Sequence, residues 1–219
     1  MAKRNTTPLE EATVAASLAG SFFEFANASG VDATTLTKAA SLTIDQLRDP
    51  DGRVPAQSYL KLQGAAISAT GDTGFPLRHA ANNALWHMSV VGLIVEAAGP
   101  LSNAITQLNR YTRLLADVPS GAGEERFELR RQDGMYLIID HLPVALVGPS
   151  AIEETFASFV SCFRKFASEL PLANEMWLTF GQPSHVTLYD EIFAMPVHFG
   201  APHNALRVNE AWLDPSRQA

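Results

Sequence analysis

Six histidines, a single cysteine and a few paired arginines are the side chains from which any chemistry in this chain would have to be built. The histidines are His79, His87, His141, His185, His198 and His203, and no two sit at i, i+4 with a carboxylate between them, the spacing a helical zinc site needs. His198 and His203 flank a turn and read as surface histidines rather than a shared metal site. His87 stands in Leu85-Trp86-His87-Met88, a very apolar stretch of helix. A buried imidazole there needs a hydrogen-bond partner, so His87 is either a satisfied core residue or a group on a pocket wall. Cys162 lies inside a Phe-rich helix, where a thiol most often serves as a small hydrophobe. Arg110 and Arg113, with Tyr111 between them, have the types to clamp an anion if one turns inward. Arg130 and Arg131 are adjacent on a strand and point to opposite faces, so they define no phosphate patch.

The signatures of the common enzyme classes are absent from the sequence. No glycine-rich segment ends in Gly-Lys-Ser/Thr, no Gly-x-Gly-x-x-Gly follows a strand, and there is no Gly-x-Ser-x-Gly elbow. We therefore expect no catalytic residues, no metal and no cofactor. The groups best suited to line a small-molecule pocket are Trp86 and His87 on the apolar helix, Arg110 and Tyr111 on the next, Tyr136 and His141 on a hairpin, and Phe163 on the Phe-rich helix.

The composition is that of a globular chain: 219 residues, 47% hydrophobic, 18% charged, with a net charge of −7. That charge repels phosphate backbones and argues against nucleic-acid binding by this chain itself. One cysteine makes no internal disulfide and fits a reducing compartment. The N-terminus has two basic residues before an Ala-rich run, but Glu10, Glu11 and Glu24 interrupt it, which suits a folded helix better than a secretory signal. No window holds the ~18 apolar residues that a membrane span requires. The expected location is cytoplasmic, with no membrane partner.

The elements that must position these residues divide the chain in two. From Thr7, a helix with Pro8 and two acids in its first turn carries Val14, Leu18, Phe22 and Phe25 at helical spacing and stops near Gly30. Short helices at Ala33–Ala40 and Thr43–Leu47 end at Asp49-Pro50-Asp51-Gly52. Pro55 opens the next helix, with Tyr59, Leu62, Ala66 and Ile67 on one stripe and Gly71 as its stop. Leu77–Val95 reads as helix again, and Leu101, Ile105, Leu108, Thr112 and Leu115 mark the buried face of another. After Ser120-Gly121-Ala122-Gly123 the period changes to two. Glu125–Arg131 and Met135–Leu142 alternate around Asp133-Gly134, a two-residue hairpin signal. That turn sets Phe127, Leu129, Tyr136 and Ile138 on one face, with Leu137 and Ile139 on the other, so the second strand should lie inside a larger sheet. Ser150 and Glu153 have capping-box spacing. Behind them Ile152, Phe156, Phe159, Val160, Phe163 and Phe166 form a broad stripe. Strands are expected near Glu175–Phe180, Pro196–Phe199 and Ala205–Val208. The expected fold is α+β: a helical layer over about 8–118, then hairpin, helix and strands over about 124–214, with the helical half packed on an antiparallel sheet in a single domain.

An ordered set of short segments adds a resemblance. Gly30-Val31-Asp32, Leu47 through Pro55, Tyr59-Leu60-Lys61-Leu62 and Thr70-Gly71-Asp72 come first. Then come Gly92-Leu93, Pro100-Leu101, Ala104, Leu108 and Arg110-Tyr111. The close is Pro196 through Pro202, Asn204-Ala205-Leu206 and Trp212-Leu213-Asp214. In this order they resemble the N-terminal arabinose-binding-type, effector-binding domain of AraC/XylS-family bacterial transcriptional regulators. One departure is Pro100, where the family usually places a capping Thr; Gly99 as cap with Pro100 at the first helical position would keep the helix. A second is that such regulators continue into a C-terminal pair of helix-turn-helix units, while this chain stops at Ala219. The resemblance implies a small-molecule effector of unknown identity, a homodimer, and DNA contact only through a helix-turn-helix domain absent from this chain. An effector that controls such a partner must bind two arrangements unequally. Two other readings remain open on the residues: an oligomerisation module without a ligand, and an enzyme or haem sensor using His87 or Cys162.

Overall fold

A computed structural model describes residues 9–82, 90–120, 125–166 and 169–213. The fold is α+β, with the larger sheet built from the C-terminal strands. The first described element is not helical. Thr13–Ala15 form strand β1, which runs straight into helix α1 (Ala16–Ala28). The expected helix through Val14 is thus corrected; Thr7 and Pro8 lie outside the described residues. The reason is tertiary. β1 pairs antiparallel with β2 (Arg53–Pro55) on one side and β3 (Ala116–Asp117) on the other, and Thr13 and Val14 are β-branched residues that suit a pleated centre strand. Arg53 ties β2 to β1 and to the turn that leads into β3. Its guanidinium donates to Thr13 Oγ1 at 2.7 Å, the Thr13 carbonyl at 3.0 Å and the Leu114 carbonyl at 3.0 Å.

Helices α2 (Ala33–Ala40), α3 (Ile44–Arg48) and α4 (Ala56–Thr70) follow their local signals. Asp32 accepts from the Thr35 amide at 2.7 Å, Thr43 and Gln46 form a reciprocal capping box, and α4 ends at Gly71 with φ 71°. Their apolar faces close a first core around Phe22, Leu36, Leu47 and Leu62. Gly20 lets α1 approach α3 closely: a Cβ there would stand 2.2 Å from the Leu47 carbonyl oxygen. Helix α5 (Phe75–Asn82) and helix α6 (Val90–Glu96) fall in the stretch read as one helix, and residues 83–89 lie outside the description. Helix α7 (Leu101–Tyr111) starts one residue later than expected, with Pro100 itself as the cap residue and Gly99 at φ 72° before it.

The second sheet contains β4 (Phe127–Gln132), β5 (Met135–Asp140), β6 (Ala173–Leu178), β7 (Val197–Phe199) and β8 (Ala205–Val208), in the order β4-β5-β8-β6-β7. Its pairs are antiparallel except β6 with β7 at one edge, where the connection through helix Thr187–Ile192 crosses over. The hairpin register matches the expectation. Leu129 faces Ile138, Arg131 faces Tyr136, and Asp133 and Gly134 take the left-handed conformations of the turn. Leu137, Ile138 and Ile139 are all buried, because β5 lies between β4 and β8.

The long helix Pro149–Phe166, here α9 after the short α8 (Val144–Val147), lays Ile152, Phe156, Phe159 and Val160 into a second core with the sheet's inner face. It starts at Pro149, one residue ahead of Ser150, so the expected Ser150–Glu153 capping box is not what Glu153 makes. Glu153 instead accepts a short hydrogen bond from Tyr189 and lies 3.0 Å from His185 Nε2. Asn109 of α7 docks the front half onto β4 by giving and taking bonds with the Phe127 backbone, at 2.6 and 2.8 Å.

Candidate ligand-binding cavity

Where the two cores meet, the chain leaves a cavity of about 160 Å³. Its front wall comes from β1, α1, α4 and the segment 112–118; its back wall comes from α9, the start of β4, Leu142 and Val147. Most of the lining is apolar, with Val14, Leu18, Leu60, Leu108, Phe127 and Phe159 among the larger contributors. The sequence reading placed a hollow between helices and sheet. The cavity lies instead between the front helices with their small sheet and helix α9, and only Arg126 and Phe127 come from the larger sheet's edge strand or the residue before it.

Two polar groups break the apolar wall. The first is on α4 and α9. Tyr59 and Gln63, one helical turn apart, share a face of α4 and both donate to Glu154 Oε1, at 3.2 and 2.7 Å. Glu154 sits deep in the molecule yet keeps surface of its own, as a side chain bordering a cavity does. Burial pushes its pKa up to about 8; the bonds from Gln63 and Tyr59 act the other way, and neighbouring Glu153 adds to the rise. Glu154 is therefore mostly protonated at neutral pH. The Tyr59 hydroxyl is held well above its ordinary range, by burial and then by the Glu154 carboxyl beside it.

The second group centres on Arg126. Its guanidinium donates to both carboxylate oxygens of Asp140, at 3.1 and 2.9 Å, and to Thr155 Oγ1 at 2.6 Å. Asp140 has no exposed side-chain surface, so this is a desolvated, bidentate pair. His79 completes the lining from α5. It lies 3.1 Å from Ser21 Oγ, packs on the rings of Phe22 and Phe25, and is lowered to a pKa of about 4 by burial. A cavity with apolar walls and a few convergent polar tips is the usual form of a small-molecule site. Among the described residues no group of three or more His, Cys, Asp or Glu could hold a metal ion.

The family model of the N-terminal arabinose-binding domain of AraC transcription regulators matches residues 30–216. The chain belongs to that family. No curated protein sequence matches it. Membership places this AraC-type domain among regulatory ligand-binding domains. Among its described residues no helix is long and apolar enough to cross a membrane.

The five described residues among those nominated from the sequence of this AraC-type domain stand away from the cavity. Trp86 and His87 lie outside the described residues. Arg110 is exposed and stacks over its neighbour Tyr111, 5.3 Å from the ring centre, while Tyr111 is half-buried against the second core. Tyr136 takes the Arg131 guanidinium over its ring at 5.7 Å. His141 lies 2.9 Å from Glu128 on the sheet's outer side, and Phe163 packs edge-on against Trp212 at 4.9 Å. None of these five borders the cavity. The residues that do carry its polarity are Tyr59, Gln63, Arg126 and Glu154, and a weak signal for them existed. Glu154 and Ser158 form a polar strip at helical spacing on a helix otherwise read for its phenylalanines, and Gln63 follows Tyr59 by four. Their meeting depends on contacts across 91 and 95 residues, which no local pattern shows.

Proposed function

We propose that this domain senses a small molecule in the cavity between its two cores and passes the state of occupancy to an attached DNA-binding half. The observation that carries the reading is the cavity itself, apolar but furnished with a protonated carboxyl and a buried ion pair. A ligand there touches α1 and α4 on one side and α9 with the β4 edge on the other. It would draw the two cores together, which is a differential interaction of the kind a sensor needs. Cavities of about 150 Å³ hold a single aromatic ring. The effector of this reading is therefore compact and mostly apolar. A sugar, which the family's description names, would set hydroxyls against Val14, Leu18, Leu60 and Leu108 without partners and be disfavoured.

The reading includes homodimerisation as part of the output, a single functional unit spanning the chain, and a cytoplasmic setting. Its test is a thermal-shift screen of the chain against small aromatic and aliphatic alcohols, acids, amines and sugars. A true effector raises the melting temperature by mass action and in proportion to its saturation. Light scattering with and without that compound reads the dimer. If no compound stabilises the protein, and filling the cavity by Ala151→Leu leaves regulation by the full regulator intact, the reading falls.

A further inference from the structure

The polar end of the cavity is set up for a charge it does not receive. Gln63 and Tyr59 both donate to one oxygen of Glu154, at 2.7 and 3.2 Å. Donors converging on a carboxyl favour its ionised form. No cation completes the arrangement among the described residues. Arg126, the guanidinium on the same cavity, is matched by Asp140 through two bonds and spends a third on Thr155. The other described titratable groups facing this end are His79 and Tyr59, both neutral at pH 7, and on Glu154's own helix Glu153, which is turned toward Tyr189 and His185.

Charge balance then selects among ligand classes. An anion would enter a cavity whose guanidinium among the described residues is already neutralised, leaving uncompensated negative charge in a desolvated site. An uncharged molecule would leave Glu154 protonated and its two donors underused. A ligand bearing one positive charge lets Glu154 ionise while the cavity stays neutral overall.

Taking the cavity as the effector site, we propose that its ligand is a small lipophilic primary amine. Its ammonium binds Glu154 and its body, about the bulk of one ring, packs against Leu18, Leu108, Phe127 and Phe159. On binding, the carboxyl of Glu154 gives its proton to bulk water and the ammonium enters as the cation, so the ligand exchanges one positive charge for one proton.

The test is calorimetric titration of the intact chain with benzylamine, benzyl alcohol and benzoate, at pH 7 in buffers of different ionisation enthalpy. Benzylamine is expected to bind at least about tenfold more tightly than either analogue, with release of close to one proton. Its affinity should rise about tenfold from pH 6 to pH 7 and level off above pH 8, because only the ionised carboxyl binds. Glu154→Gln should weaken benzylamine about tenfold or more while changing benzyl alcohol no more than about twofold. Circular dichroism checks the variant's fold, and the wild-type pH profile needs no variant at all. If benzyl alcohol or benzoate binds as well as benzylamine, or binding releases no proton, the amine assignment is overturned and the cavity remains a sensor site for another class. If none of the three binds, and the broader screen also finds no stabiliser, both readings fall together.

Discussion

On the outer face of the five-stranded sheet, Glu128 receives two bonds from Arg130, at 2.8 and 2.6 Å, with His141 Nε2 at 2.9 Å; these partners, led by Arg130, hold its pKa at about 2. Inside the molecule Glu154 receives bonds of 3.2 and 2.7 Å on one oxygen, and its pKa stands at about 8. Donors converge on both carboxyls, but the charge of those donors and the solvation are opposite. Glu128 has a cation and open solvent, whereas Glu154 has neutral donors and burial. The outer face repeats the first pattern in Glu175, bonded by Arg207 at 2.6 Å with His198 3.4 Å away. A lattice of matched surface charges covers Leu137, Ile139 and Ala205 and explains itself as the solvated side of a sheet. Among the described residues no cation meets the cavity carboxyl, and our proposal places the ligand's ammonium there.

The comparison can be broken most forcefully at the arginines. Arg126→Ala leaves Asp140 buried without its counter-charge and should cost roughly 3–5 kcal/mol in urea denaturation, whereas Arg130→Ala on the outer face should cost about 0–1 kcal/mol. Equal losses would show that inside and outside do not differ as described. Next in size is the pH response of Glu154. Its folded pKa is raised above the unfolded 4.5, so the folded state binds the extra proton and stability falls as pH climbs from 4.5 to 8. Glu154→Gln should remove that fall and be more stable than wild type at pH 8 by roughly 2–4 kcal/mol. A variant less stable than wild type at pH 8 would contradict it.

His79 acts in the reverse sense. Its folded value of about 4 lies below the unfolded 6.5, so the unfolded chain takes the proton first and stability drops as pH falls from 6.5 to 4. The drop should be roughly 2–3 kcal/mol. In wild type the two slopes oppose each other between pH 4.5 and 6.5; in Glu154→Gln only the His79 slope should remain in denaturant titrations. The smallest effect belongs to Glu128→Gln. Its carboxylate is stabilised above pH 4.5 and loses that advantage only as pH falls toward 2, and with its side chain 39% exposed the change at pH 7 should stay below about 1 kcal/mol. A larger loss would mean the outer charges bear on the core after all.

Legibility in the sequence tracked the range of the interactions. Asp133-Gly134 names its own turn because a two-residue hairpin needs left-handed backbone there, and the pairing of Leu129 with Ile138 then follows. Gly71 and Thr43 announce helix ends in the same way. Val14 was misread because its spacing to Leu18 and Phe22 is helical, while its true partner is Val54, forty residues on. The site fared worse than the fold. Aromatic and histidine positions such as Tyr136, His141 and Phe163 have the residue types of pocket groups, and the tertiary structure uses them for packing and for surface ion pairs. The polar lining came from ordinary-looking residues, Gln63 and Glu154, whose types are common on solvated helix faces.

The sequence by itself determined the helical front, the strand-rich back, the hairpin register and the family, because turn residues, apolar periods and ordered short segments are properties of neighbouring residues. Only the tertiary structure decided that Tyr59 and Gln63 would face Glu154, and that Arg126 would be matched by Asp140 and not by the cavity carboxyl. Burial and counter-charge are set by which distant surfaces meet. A carboxyl's spelling is the same at positions 128 and 154, and its protonation is not.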